Sequence, residues 1–142
     1  MTALLDEKYA GQMCGTVRPL RETMTSTALA YESIRSLADR IASGRLSPVR
    51  VAEELLQRID VLDGRLRSFI RVTPERALAQ ARAAESAMKG GASLGILHGI
   101  PYAAKDLFDV KGFPTTAGTR LLANSIAGQD SAAVQKLQSA GM

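Results

Sequence analysis

Tryptophan is absent, cysteine and histidine occur once each, and aromatic residues make up only 4% of the chain. Each shortage excludes something. A single cysteine, Cys14, cannot form an internal disulfide. It lies in a polar N-terminal stretch without a histidine close by, which reads as a free thiol and not as an activated nucleophile. A single histidine, His98, rules out a histidine-rich metal site, and no Cys/His cluster exists for zinc. Long apolar runs are missing too. Asp6, Glu7 and Lys8 interrupt the only candidate for a secretory leader, and no stretch is long and apolar enough to span a membrane. These features predict a reducing, cytoplasmic setting and no membrane partner. With few aromatics, the core must be built from Ala, Leu, Val and Ile.

What is present is a soluble, globular balance: 46% hydrophobic and 23% charged residues over 142 positions, enough for one ordinary domain. The net charge of +4 does not indicate a nucleic-acid partner. Arg65, Arg67, Arg71, Arg76 and Arg82 alternate with apolar residues and acids, and no aromatics interleave with a basic run as base stacking requires. They read as solvated helix faces.

Residues 1–27, with Gly11, Gly15, Pro19 and weak periodicity, read as a flexible arm, and Met24 is a candidate translation start. Ile34, Leu37, Ala38 and Ile41 fall at helical spacing up to Gly44. Ser47-Pro48 is a cap followed by proline at the first helical position. It opens a helix with Val51, Leu55, Ile59 and Leu62 on one face, Glu53 and Glu54 near its positive end, and Gly64 as the expected stop. Phe69–Val72 is β-prone and predicts a strand. Thr73-Pro74 repeats the cap device before an alanine-rich helix to about Met88, stopped by Gly90-Gly91. Leu94 to Ile100 predicts a loop into a strand at Tyr102–Leu107. Asp130 predicts the N-cap of a last helix that buries Val134 and Leu137 and ends at Gly141. Helices, strand, helix, strand, helix is the order of an α/β protein. Two or three strands leave wide sheet edges unpaired, so the chain is expected to be the N-terminal piece of a longer protein.

The most informative segment runs from Leu97 to Gly118. It sets Lys105 in an apolar run, Tyr102-Ala103-Ala104-Lys105-Asp106-Leu107-Phe108, that reads as a buried strand. A lysine so placed must find a carboxylate or lose its proton, and the second course makes a base that works near neutral pH. On a strand, Lys105 and the adjacent Asp106 face opposite sides, so Asp106 is not its obvious partner. An isolated lysine of this kind snorkels to water; the surrounding motif is what favours a base.

That motif is Leu97-His98-Gly99-Ile100-Pro101, three residues, Lys105-Asp106, then Gly112-x-Pro114-Thr115-Thr116-x-Gly118, then Asp130, Val134, Leu137, Ala140 and Gly141 at the spacing of a helix. It resembles the amidase signature family over roughly residues 31–142. Thr119 stands where that family usually has Ser, and Ser131 where Ala is common. The resemblance implies the first helices and strands of an α/β fold with a mixed central sheet flanked by helices, incomplete here and assigned to residues 28–142. It implies an amide hydrolase that works through a serine acyl-enzyme, with Lys105 as the general base. Asp106, Thr115, Thr116 and Gly118 would support the lysine: Asp106 by accepting backbone or hydroxyl hydrogen bonds, Gly118 through close backbone approach or positive φ. His98 would be structural and Tyr102 a packing residue, with Leu121 to Gln129 bordering the cleft.

No metal or organic cofactor is implied. The implied partner is a small-molecule amide, with a homodimer, or partner subunits in an amidotransferase, as further possibilities. The family's Gly/Ser-rich segment bearing the two catalytic serines has no counterpart here: Ser125, Ser131 and Ser139 lie outside any Gly-Ser-Ser-Gly-Gly-Ser context. The alternatives are therefore an amidase, the A subunit of a tRNA-dependent amidotransferase, and a non-catalytic homologue. The 142 residues alone are expected to be inactive.

Overall fold

The structure, a computed structural model, describes residues 29–92 and 95–142. The arm expected over residues 1–27, with Cys14 and Met24, and Leu94 at the head of the expected loop lie outside the described residues. A 3₁₀ turn at Leu29–Tyr31 leads into α1 (Ile34–Ala42), α2 (Pro48–Leu66) and α3 (Pro74–Lys89). A long irregular segment follows, containing a second 3₁₀ turn at Arg120–Leu122, and α4 (Ala132–Ser139) comes last.

Local chemistry explains most of these boundaries. Ser33 caps α1, its hydroxyl accepting from the Ser36 N–H at 3.1 Å. Gly44, at φ 72°, reverses the chain after α1. Ser47 caps α2 as expected, accepting from the N–H groups of Val49 (3.1 Å) and Arg50 (3.3 Å), with Pro48 at the first position. Gly64 does not stop α2. The helix runs to Leu66, and Arg67 takes the left-handed cap conformation at φ 50°. The true stop signal is Asp63: its carbonyl accepts the Arg67 N–H at 2.7 Å, and its Oδ1 accepts from Ser68 (2.7 Å) and Phe69 (3.2 Å). α3 starts at Pro74 as expected, but the Thr73 side chain makes no capping bond.

The core sits where four pieces of chain converge. Leu29, Leu37, Ile41, Leu46, Val51 and Ile100 form it, and Leu55, Met88 and Met142 pack against it. Val51 is completely buried, which contributes about 1.5–3 kcal/mol relative to exposure. α2 packs on α3 with the start of one beside the end of the other: a Cβ placed on Gly99 would meet Pro48 Cγ at 2.8 Å and Met88 Cε at 3.3 Å. Gly99 at φ 80° thus wedges its bare backbone between the two helices.

The expected strands do not form. Phe69–Val72 and Tyr102–Leu107 contain no paired strand, and among the described residues the β pairing is one antiparallel bridge between Pro114 and Ile126. A strand needs a neighbour for its backbone groups, and β propensity alone supplies none. Ile70 is accordingly 74% exposed, with Phe69 and Val72 also open. No described helix is long and apolar enough to cross a membrane.

Candidate active-site segment around Lys105

The segment from Leu97 to Gly118 is anchored at its head. His98 is 4% exposed, and its ring lies against Gly141: a Cβ there would fall 2.5 Å from His98 Cδ2. The Gly99 N–H donates to the Gly141 carbonyl at 2.8 Å, and Ile100 enters the core. His98 is thus buried beside Gly141. From here Pro101–Ala104 runs without secondary structure to Lys105. Tyr102 is half-buried; burial pushes its phenol up, against the opposing effects of Arg76 and a hydrogen bond with Gln138.

Lys105 is exposed. This corrects the buried strand lysine expected from the sequence. The reason is that no sheet lies over it among the described residues and the chain turns immediately after it. The Lys105 carbonyl accepts the N–H groups of Leu107 (2.7 Å) and Phe108 (2.9 Å). Leu107 and Phe108, which the sequence suggested would enclose the lysine, are themselves exposed. Lys105 and Asp106 form no ion pair with each other.

The structure does bring Asp106, Thr116 and Gly118 together. The Asp106 carboxylate accepts the Thr116 N–H at 2.8 Å on one oxygen and the Thr116 hydroxyl on the other. The Asp106 carbonyl accepts the Ala117 N–H at 3.0 Å, and the Thr116 hydroxyl accepts the Gly118 N–H at 3.2 Å. Partial burial pushes the Asp106 carboxyl up. The hydrogen bonds from the Thr116 hydroxyl, the Thr116 N–H and the Gly118 N–H outweigh it and hold the carboxyl below its ordinary value. Gly118 takes φ 74°, and a Cβ there would meet nothing within 4 Å, so conformation and not close approach calls for glycine. Ala117 shares the left-handed region at φ 49°, a strained position with no signal in the sequence. Thr115 is not part of this cluster; its N–H donates to the Ser125 carbonyl at 3.3 Å, joining the turn to the following loop.

Further along, Phe113 pairs with Ala127 through Ala127 N–H to Phe113 carbonyl (2.9 Å) and lies under the guanidinium groups of Arg76 (5.6 Å) and Arg71 (5.8 Å). Asp130 is not the cap of α4, as the sequence suggested. Its carboxylate accepts the Lys111 N–H at 2.7 Å, so it ties the glycine turn to α4, and Ser131 occupies the cap position. The Ser131 hydroxyl is buried without a hydrogen-bond partner, which gives a physical reason for the alanine common at that position in the family resembled. Leu121 in the second 3₁₀ turn is 93% exposed, and Leu122 and Ile126 are open beside it.

The lysine-bearing turn, clamped through Asp106 to Thr116, lies within the part of the chain that matches a known family. Residues 50–142 match the model of the family described as Amidase. The chain is 42% identical over 116 residues to the A subunit of the glutamyl-tRNA(Gln) amidotransferase of Acinetobacter baumannii, covering 82% of this chain and 23% of that protein. The protein of the same name from Streptomyces avermitilis is 39% identical over 118 residues, covering 83% of this chain and 24% of that protein. Among solved structures, the peptide amidase of Stenotrophomonas maltophilia superposes with a TM-score of 0.75 at 32% identity, over 80% of this chain and 24% of that one. A fatty acid amide hydrolase superposes with a TM-score of 0.77 at 25% identity, over 84% of this chain and 21% of that one.

The chain belongs to the amidase family, and its fold is that of the matching part of amidase signature proteins. It spans about a quarter of the length of the relatives it matches.

Proposed function

We propose that residues 28–142 are the first part of an amidase domain that cleaves a carbon–nitrogen amide bond, with Lys105 as its general base. The observation that carries this reading is the position of Lys105 within the family match, on a turn held by Asp106 and Thr116. Amide hydrolysis needs an activated nucleophile, a proton for the departing amine and donors for the oxyanion. In the intact site, Lys105 takes a proton through a bridging serine from the nucleophilic serine and returns it to the leaving amine. The acyl-enzyme is then hydrolysed by water.

Asp106, Thr116 and Gly118 hold the turn, and Thr115 ties it to the next loop. The exposed apolar residues on the same stretch, Leu107, Phe108, Leu121, Leu122 and Ile126, are the surface that the remainder of the domain covers. The segments with strand composition, Phe69–Val72 and Tyr102–Leu107, pair into the mixed sheet when neighbouring strands are present. The 142 residues alone supply the base without the two serines and hydrolyse no aryl amide.

The test grafts this chain in place of the matching segment of the Stenotrophomonas maltophilia peptide amidase and follows ammonia release from a peptide amide. Lys105→Ala should abolish turnover while the circular dichroism spectrum is kept; near-normal turnover would refute the assignment. The names of the amidotransferase relatives favour a second reading, in which the same site releases ammonia for a partner protein. Co-purification of partner subunits and tRNA-dependent ammonia release support that reading. A downstream sequence without the two serines would leave a non-catalytic homologue.

A further inference from the structure

We propose that Asp106, with Thr116 as its partner, is a positioning residue that fixes the backbone of Lys105 for proton transfer. This deepens the amidase reading and rests on it. Lys105 is exposed, so burial does not fix its side chain. What is held is the backbone on which it stands. The Lys105 carbonyl is engaged by Leu107 and Phe108, and the carbonyl of the next residue, Asp106, by Ala117. The Lys105 Cα and the Lys105 carbonyl share one planar peptide unit, so holding that carbonyl, with the following unit held at the Asp106 carbonyl, restrains the Lys105 Cα.

The Asp106 carboxylate completes the arrangement across ten residues of sequence, one oxygen on the Thr116 N–H and the other on the Thr116 hydroxyl. Both its oxygens face donors. An asparagine could keep the Thr116 N–H bond through its carbonyl oxygen, but its NH₂ would force the Thr116 hydroxyl to accept instead of donate, replacing a charge-assisted bond with a weaker, reversed one. The clamp also closes the strained Ala117 turn, since the Ala117 N–H is the group that reaches the Asp106 carbonyl.

The clamp can be tested on the 142-residue chain and its consequence on the peptide-amidase chimera. By NMR, the Lys105 amide of the unsubstituted chain should show an order parameter of about 0.85, falling below about 0.6 in Asp106→Asn and Thr116→Val. Amides in α2 should not change, and Thr116→Ser, which keeps the hydroxyl, should restore order. Thr116→Val retains the size of threonine and decides the matter if Asp106→Asn unfolds the chain. Unchanged order at Lys105 in Thr116→Val overturns the clamp.

In the chimera, Asp106→Asn should lower kcat on the order of 10- to 100-fold with KM little changed, the signature of a misplaced reacting group. If Lys105→Ala abolishes turnover while Asp106→Asn leaves kcat intact, the positioning inference fails and the amidase reading stands. If turnover survives Lys105→Ala, the amidase reading fails, and the order parameters still decide the clamp.

Discussion

Gly141 and Gly44 offer a comparison that separates two costs of replacing glycine. Both have left-handed backbones, at φ 85° and 72°. Around Gly44 a Cβ would meet nothing within 4 Å, whereas at Gly141 it would lie 2.5 Å from His98 Cδ2, 2.9 Å from Cγ and 3.1 Å from the His98 Cα. Gly44→Ala should therefore lose only the conformational term, about 1–2 kcal/mol. Gly141→Ala loses the same and must also displace a buried ring and its backbone, an overpacking cost of about 1–3 kcal/mol more. It also threatens the Gly99–Gly141 hydrogen bond that anchors the head of the Lys105 segment.

Urea denaturation measures the difference. With an m-value of about 2 kcal/mol/M, a gap of about 2 kcal/mol separates the two midpoints by about 1 M. Placing Gly141→Ala in a His98→Ala background should remove much of the excess, since the clash partner is gone. Equal midpoints for the two glycine variants, or an excess that survives removal of the imidazole, would refute the steric argument.

Two further measurements test local assignments. Ser47→Ala should cost about 1 kcal/mol in denaturant unfolding because its hydroxyl caps α2, whereas Thr73→Ala, with no capping bond to lose, should stay within about 0.5 kcal/mol; equal losses would contradict this. Stability should fall on acidification: Asp106 is held below its ordinary value by the Thr116 and Gly118 donors against the upward push of burial, and Glu85 is lowered by the Lys89 ammonium and the Ser47 hydroxyl against the effect of burial. A carboxyl whose folded pKa is depressed stabilises the fold above its unfolded pKa and loses that contribution as pH falls through the folded one. The urea midpoint should thus drop below about pH 4 to 5, and the drop should shrink in an Asp106→Asn, Glu85→Gln variant. A pH profile identical to that of the parent chain would exclude these two groups as its source.

The helices were legible because their signals are local. Pro48 and Pro74 mark starts, the Ile34–Ile41 spacing marks a buried face, and Gly44 marks a stop, each through rules that act within a turn or two. Sequence and structure part where a local signal competes with a partner farther away. Gly64 reads as a stop, yet the helix continues until Asp63 can capture the N–H groups beyond it. Asp130 reads as a cap, yet its carboxylate is spent on Lys111, nineteen residues upstream. Phe69–Val72 and Tyr102–Leu107 have strand composition, but pairing is a property of two segments, and the described residues offer neither a partner.

Sequence by itself determined the family: the ordered motif residues from Leu97 to Gly141, Lys105 among them, lie within the match to the amidase family. Covalent order and residue type suffice for that, since a motif is a statement about spacing along the chain. Only the tertiary structure decided the surroundings of that lysine. It left Lys105 exposed, bonded the Thr115 N–H to Ser125, and joined Asp106 to Thr116 and the left-handed Ala117–Gly118 turn. Burial and hydrogen bonding between distant residues depend on which surfaces meet, and no pattern read along the chain specifies that meeting.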